Sequence, residues 1–416
     1  MNGGATSCSR PPPETIEHEQ GYTDIMSNED GRDDESSAEL DEFRRSLAQW
    51  LSENVTPDVV AAGQHGYEEG DNLEILKRWS ATLFEGGWSA ISWPVAFGGR
   101  DASVDEQLAY HEEMGRAEAP GPVNVIGVSN IAPAIMQYGT PEQTARFLTP
   151  MLRGDETWCQ GMSEPDAGSD LASLRTSAVL DGDTFVVNGQ KTWNSLGRHA
   201  DWCQLYVRTD PSARKHKGIS CLLVDMKSPG IDVRPVKTMA GELTFSDLFF
   251  SDVRVPADAL LGPLNEGWRV AMATLSHERA GVAKLHLGLS RKLEHLLRDA
   301  KDSPALQNPV HRDRVASVYS QIACMRWTTS RDLTALGRGQ APSAAGGSGT
   351  KLMWARVDQE LAELAVDLLG LDGLSGSWAR NLTSSPSASI AGGTNQINRN
   401  IVAEHGLGLP REPQTN

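Results

Sequence analysis

WCQGMSEPDAGSD, residues 158–170, decides how this chain is organised. Upstream of it the apolar residues recur at helical spacing; downstream they alternate in short runs closed by turns. From Leu40 the set Phe43, Leu47, Trp50 and Leu51 falls on one helical face. Helices are further predicted around Leu73–Leu83, Glu106–Glu118 and Ile131–Tyr138. Thr140, Pro141 and Gln143 carry the spacing of a capping box that opens another. Downstream, Asp181-Gly182-Asp183 and Asn188-Gly189 read as hairpin turns between strands. Further strands are predicted at 203–207, 219–224, 231–236 and 248–253. From Trp268 helical spacing returns. Leu285, Leu289, Leu293 and Leu296 share a face, and 315–336 and 352–369 read as bundle helices joined by a glycine-rich turn at 337–349. The predicted fold is therefore multidomain α+β: an acidic disordered tail (1–39), a helical domain (40–157), a β-domain (158–267) and a helical bundle (268–416).

The 416 residues suffice for several cores. The net charge of −17 disfavours nucleic acid as a partner. Residues 1–39 hold ten acidic residues against two arginines, or −8, with few large apolar residues. That stretch has neither the basic start nor the apolar core of a secretory signal. No window is apolar enough to span a membrane. The five cysteines are scattered without a CxxC pair, which fits a reducing cytoplasm and no zinc site. His199, His286, His295 and His311 show no metal-ligand spacing.

Three segments carry candidate chemistry. In 162–170, Ser163 and Ser169 offer hydroxyls and Ala167-Gly168 admits close backbone approach, although an ordinary Asx/Ser turn would look the same. In QKTWNS (190–195), Trp193 beside Ser195 suits an aromatic ring with a polar edge; a core tryptophan with a turn serine is the plain alternative. In IAGGTNQI (390–397), adjacent glycines and Thr394 precede a helix and read as an anion-binding turn or a simple cap.

Together with "VVNGQKTWNS", "FFSDVRVPADALLG", "NEGW", "LSHERAG" and "IAGGTNQINRNIVAEHGLGLPRE", these segments resemble the acyl-CoA dehydrogenase family over roughly residues 40–411. The resemblance implies an N-terminal helical domain, a central antiparallel β-barrel domain and a C-terminal four-helix bundle. It also implies non-covalent FAD. On it, Met162 and Ser163 lie along the pyrimidine side of the flavin, and Trp193 and Ser195 lie beside the isoalloxazine. Gly393, Thr394 and Gln396 meet the adenosine half, and Asp367 and Gly370 reach the cofactor of a neighbouring subunit. Ser169 lines the thioester's way in, and Arg279 and Gly392 belong to the substrate site. The implied partners are an acyl-CoA or acyl-carrier-protein thioester and an electron-transfer flavoprotein. The implied assembly is a homodimer, a homotetramer or an α2β2 heteromer.

Two departures stand out. Many members place the catalytic glutamate where this chain has Gly392. Others place it before an arginine on the first bundle helix, and here that pair is Glu278-Arg279. Glu278 is therefore the expected base, and the backbone N–H of Gly392 remains to polarise a thioester carbonyl. The family's Arg-x-x-Phe-Gly segment is missing from 299–314, where Arg312 or Arg314 would have to serve. That loss leaves open a subunit that shares FAD with a paralogue. A flavin oxidase or monooxygenase and a non-catalytic scaffold of the same fold are the other readings.

Overall fold

A computed structural model describes residues 30–65, 67, 70–280, 285–337 and 344–411; at 30–37, 65, 276–280, 333, 336, 337, 344 and 345 it describes the backbone alone. The helical first part comprises α1 (Asp30–Asn54), α2 (Pro57–His65), α3 (Asn72–Glu85), α4 (Val104–Arg116), α5 (Ala132–Tyr138) and α6 (Pro141–Arg153). α1 begins at Asp30, inside the stretch read as a tail, and residues 1–29 lie outside the described set. The acidic run Asp30–Glu35 that suggested disorder also suits a helix N-terminus, whose dipole favours negative charge. Leu47 and Leu51 bury the predicted stripe against Trp79, Leu83 and Trp88. The Thr140–Gln143 capping box forms in both directions, at 3.2 and 3.1 Å.

Seven strands follow: β1 (Trp158–Gly161), β2 (Ser177–Asp181), β3 (Thr184–Ser195), β4 (Trp202–Arg208), β5 (Ile219–Asp225), β6 (Ile231–Val236) and β7 (Phe245–Pro256). They form one curled sheet in the order β1-β4-β2-β3-β7-β6, with β5 on β4. Most pairings are antiparallel as expected, but β4 runs parallel to both β1 and β2. Asn188-Gly189 is not the predicted turn. It lies inside β3, where the register against β7 shifts between Val187 and Gly189. Gly189 adopts φ +148°, and a Cβ there would stand 2.7 Å from Thr176 Cα. The glycine thus serves a bulge, which bends the strand, and not a hairpin.

Helices then resume as α7 (Gly267–Ala280), α8 (Leu285–Asp299), α9 (Pro309–Gly337), α10 (Ala344–Leu369), α11 (Gly376–Ser384) and α12 (Asn395–Ile401). Leu289, Leu293 and Leu296 of α8 pack with Val318, Ile322, Leu361 and Leu364 in the bundle core. Residues 344–349, expected as part of a turn, belong to α10. A Cβ on Gly346 would meet Asp332 Oδ2 at 2.5 Å, so glycine at this position leaves room for the Asp332 carboxylate of α9. Among the described residues no helix is long and apolar enough to cross a membrane, and no acidic, His or Cys cluster could hold a metal.

Candidate functional site

The first two sequence segments meet at a buried ion pair. Lys191, wholly buried, donates to Glu164 Oε1 at 2.8 Å and to the Met162 carbonyl at 3.0 Å. Glu164 also accepts the amides of Arg175 at 2.6 Å and Thr176 at 2.8 Å. Burial raises the Glu164 carboxyl, but the Lys191 charge and these hydrogen bonds outweigh it and hold the group below the usual carboxylate range. One residue on, the Thr192 amide donates to the Ser163 carbonyl at 2.9 Å. Met162-Ser163 and Trp193-Ser195 are therefore fixed side by side through their own neighbours.

The second register shift of β3, between Lys191 and Asn194, turns Trp193 outward. Trp193 takes φ +59° and is 59% exposed, edge-on to Phe245 at 5.7 Å. Neither the plain core tryptophan nor a relaxed strand fits this. A bulky residue in the left-handed region carries strain that surrounding structure must hold. Asn194, buried behind it, anchors the turn by donating to the Ser246 carbonyl at 2.9 Å, and Thr192 Oγ1 donates to Asp247 at 2.5 Å. No described residue hydrogen-bonds the Ser163 or Ser195 hydroxyl. An open indole face flanked by spare hydroxyls suits a planar heteroaromatic ring with polar edges.

Ser169 lies on the exposed turn that follows. The backbone bridge between Glu164 and Ala167 closes the tight turn just before it at 3.0 Å each way, and Lys215 holds the adjoining Asp170 at 2.7 Å. Glu278 and Arg279 stand in the last turn of α7, and their side chains lie outside the described residues. α7 packs on β5 and α5. Its Thr274, four residues before Glu278, is buried against Tyr206 Oη at 3.2 Å and Gln204 at 3.3 Å.

The C-terminal residues form a separate group. Gly392 and Gly393 take φ +65° and +83°, conformations that favour glycine. Thr394 caps α12, its Oγ1 accepting the Ile397 amide at 3.2 Å, and Gln396 is exposed on that helix. Asp367 and Gly370 (φ +61°) lie near the other end of α10. Along α10, Asp367 stands sixteen positions, about 24 Å, from Lys351, which bonds Asn395 on one side of the glycine turn, and eight positions, about 12 Å, from Gln359, which bonds Ser389 on the other. Arg314, one candidate for the missing arginine, is paired with Asp367 itself. Arg312 is exposed beside an open hollow of about 470 Å³ bordered by Leu293, Leu297, Leu306 and Tyr319.

Sequence reading missed the Lys191–Glu164 pair, although both residues sit inside the quoted segments. A lysine in a strand and a glutamate before proline give no local sign that the fold will bury them together.

Comparison with known proteins gives one consistent answer. The models described as acyl-CoA dehydrogenase N-terminal, middle and C-terminal domains match residues 37–155, 159–253 and 265–407. Acyl-CoA dehydrogenase IpdE1 of Mycolicibacterium smegmatis is 38% identical over 394 residues, 90% of this chain and 99% of that protein. Among solved structures, the Tcur3481-Tcur3483 steroid ACAD superposes with a TM-score of 0.80 at 32% identity, covering 90% of this chain and 98% of that one. The ChsE4-ChsE5 complex from Mycobacterium tuberculosis gives 0.77 at 33%, with the same coverage.

Proposed function

The chain belongs to the acyl-CoA dehydrogenase family of flavin-dependent oxidoreductases, and we propose that it binds FAD and introduces an α,β double bond into a bulky acyl-CoA thioester. The observation that carries this reading is the outward-turned Trp193, clamped beside Met162-Ser163 by the Lys191–Glu164 pair. Those residues fit the flavin ring: one aromatic face, two free hydroxyls, and backbone fixed on both sides. Gly393, Thr394 and Gln396 would hold the adenosine half. Bound FAD supplies the hydride acceptor for the substrate's β-carbon.

Glu278 takes the α-proton. An α C–H next to a thioester is a weak acid, so the base must be positioned and the developing enolate oxygen must receive hydrogen bonds. The Gly392 N–H is one such donor, in a turn that carries no carboxylate of its own. Arg279 follows Glu278 on the same helix and serves the substrate site. Ser169 flanks the thioester arm. As the α-proton passes to Glu278 and the β-hydride leaves, the C–C bond becomes double and the thioester stays intact. Electrons then pass to an electron-transfer flavoprotein.

The steroid description of one structural neighbour supports a fused-ring or otherwise bulky acyl group. Assembly with a different, related chain is the favoured form. The two structural neighbours are each described by a pair of chain names. Here Arg314 is engaged by Asp367, and Asp367 and Gly370 lie two helical turns or more beyond the α10 residues that hold the Gly393 turn. A site of this kind is completed by a second subunit.

Substituting Glu278→Gln tests the base. The variant should bind FAD and thioester normally and reduce flavin at least ~10²-fold more slowly in a single turnover. Wild-type flavin reduction by Glu278→Gln with the best substrate would remove Glu278 from the mechanism.

A further inference from the structure

Lys351 of α10 is buried, only 4% exposed, and its ammonium meets no carboxylate among the described residues. Among the described residues its one hydrogen bond goes to Asn395 Oδ1, a neutral acceptor, at 3.1 Å. One turn earlier Ser348 is also buried, and its hydroxyl has no partner. A buried lysine is ordinarily paired with a negative group, because leaving it unpaired costs stability. Burial alone pushes its pKa down. The helix therefore keeps an unfavourable polar seam where apolar residues would pack better.

Lys351 faces the base of the Gly392–Thr394 turn. Asn395, held by Lys351, donates in turn to Ser389 Oγ at 3.2 Å. Gln359, two turns further along α10, donates to the same Ser389 oxygen at 2.7 Å. Ser389 precedes the turn and Asn395 follows it, so α10 grips the loop at both ends. From inside, Asn398 donates to the Gly393 and Thr394 carbonyls at 2.8 and 3.1 Å. The tip is left open: Ile390, Ala391, Gly392 and Gly393 are all exposed. A loop tied so firmly at its base and bare at its tip is held for something that lands on it.

We propose that Lys351 is a positioning residue, which through Asn395 fixes the attitude of the Gly392–Thr394 turn toward FAD and the thioester carbonyl. This rests on the flavin reading above. Lys351 itself touches neither cofactor nor substrate; it acts through Asn395.

The test compares Lys351→Met, Lys351→Arg and Asn395→Ala in the full chain with whatever partner chain it requires. Amide exchange over residues 389–396 is measured without added FAD, and FAD affinity is titrated separately. Lys351→Met and Asn395→Ala should each exchange at least tenfold faster in that loop, with the middle of α10 unchanged, and bind FAD at least tenfold more weakly. Lys351→Arg, which keeps the charge and donors, should recover part of both. Wild-type exchange in Asn395→Ala overturns the proposal even if Lys351→Met fails to fold. Faster exchange with unchanged FAD affinity overturns it too, because the bond would then serve folding alone. Should the wild-type protein bind no FAD, the flavin reading fails, and the exchange measurement still decides whether Lys351 holds the loop.

Discussion

Lys191→Met should separate the clamp's role in folding from its role in the site. Methionine matches the length of the lysine stem, so little cavity opens. What is lost is the charge and both Nζ bonds, to Glu164 at 2.8 Å and to the Met162 carbonyl at 3.0 Å. Glu164 stays buried at 8% exposure with an uncompensated carboxylate. Removing one partner of a buried pair costs about 3–5 kcal/mol. Glu164 retains two amide donors, from Arg175 and Thr176, so the cost should fall near 3 kcal/mol. In thermal unfolding followed by circular dichroism this is a fall on the order of 10 °C for the β-domain transition. Adding Glu164→Gln removes the stranded charge and should recover at least about 1 kcal/mol. FAD affinity should not recover with it, because Met162 has still lost its tether. A loss below about 1 kcal/mol in Lys191→Met would mean that the pair contributes little net energy. Wild-type FAD affinity in the double variant would refute the clamp as what sets the flavin-facing edge.

Trp193→Ala removes an exposed ring, so unfolding stability should change by no more than about 0.5 kcal/mol. Its FAD affinity should nevertheless drop about tenfold, some 1.4 kcal/mol, in an equilibrium titration. Acid titration of stability should show the depressed Glu164 and Asp201 carboxyls: burial raises both, but their hydrogen bonds and neighbouring cations pull them lower still. A carboxyl lowered by folding contributes stability that is complete above the ordinary carboxylate range. That stability is lost as pH falls through the folded-state value. Urea midpoints should thus decline below about pH 4, and the decline should be shallower in Lys191→Met with Glu164→Gln.

The helical and β portions were legible because their apolar periods differ, and the Thr140 cap was legible because its chemistry is local. Asn188-Gly189 misled for the same local reason. The dipeptide favours a hairpin turn, but β7 pairs with residues on both sides of it and makes it a bulge. Gly346 likewise reads as a loop glycine until the Asp332 carboxylate of α9 packed against it accounts for it. At the site, motif residues were visible and their supports were not. Lys191 with Glu164, and Lys351 with Asn395, are joined only by tertiary contact, 27 and 44 residues apart. Such pairs leave no periodic or turn-like trace in a sequence.

Anaerobic mixing of the purified protein, alone and with a related partner chain, against short, branched, long and steroid-derived acyl-CoAs tests the central claim most directly. Flavin absorbance is the readout. The account predicts bound FAD that bleaches with at least one thioester, fastest with a bulky one, and yields the α,β-unsaturated product. Protein that takes up no FAD in either form, or FAD that no thioester in the panel reduces, would contradict it.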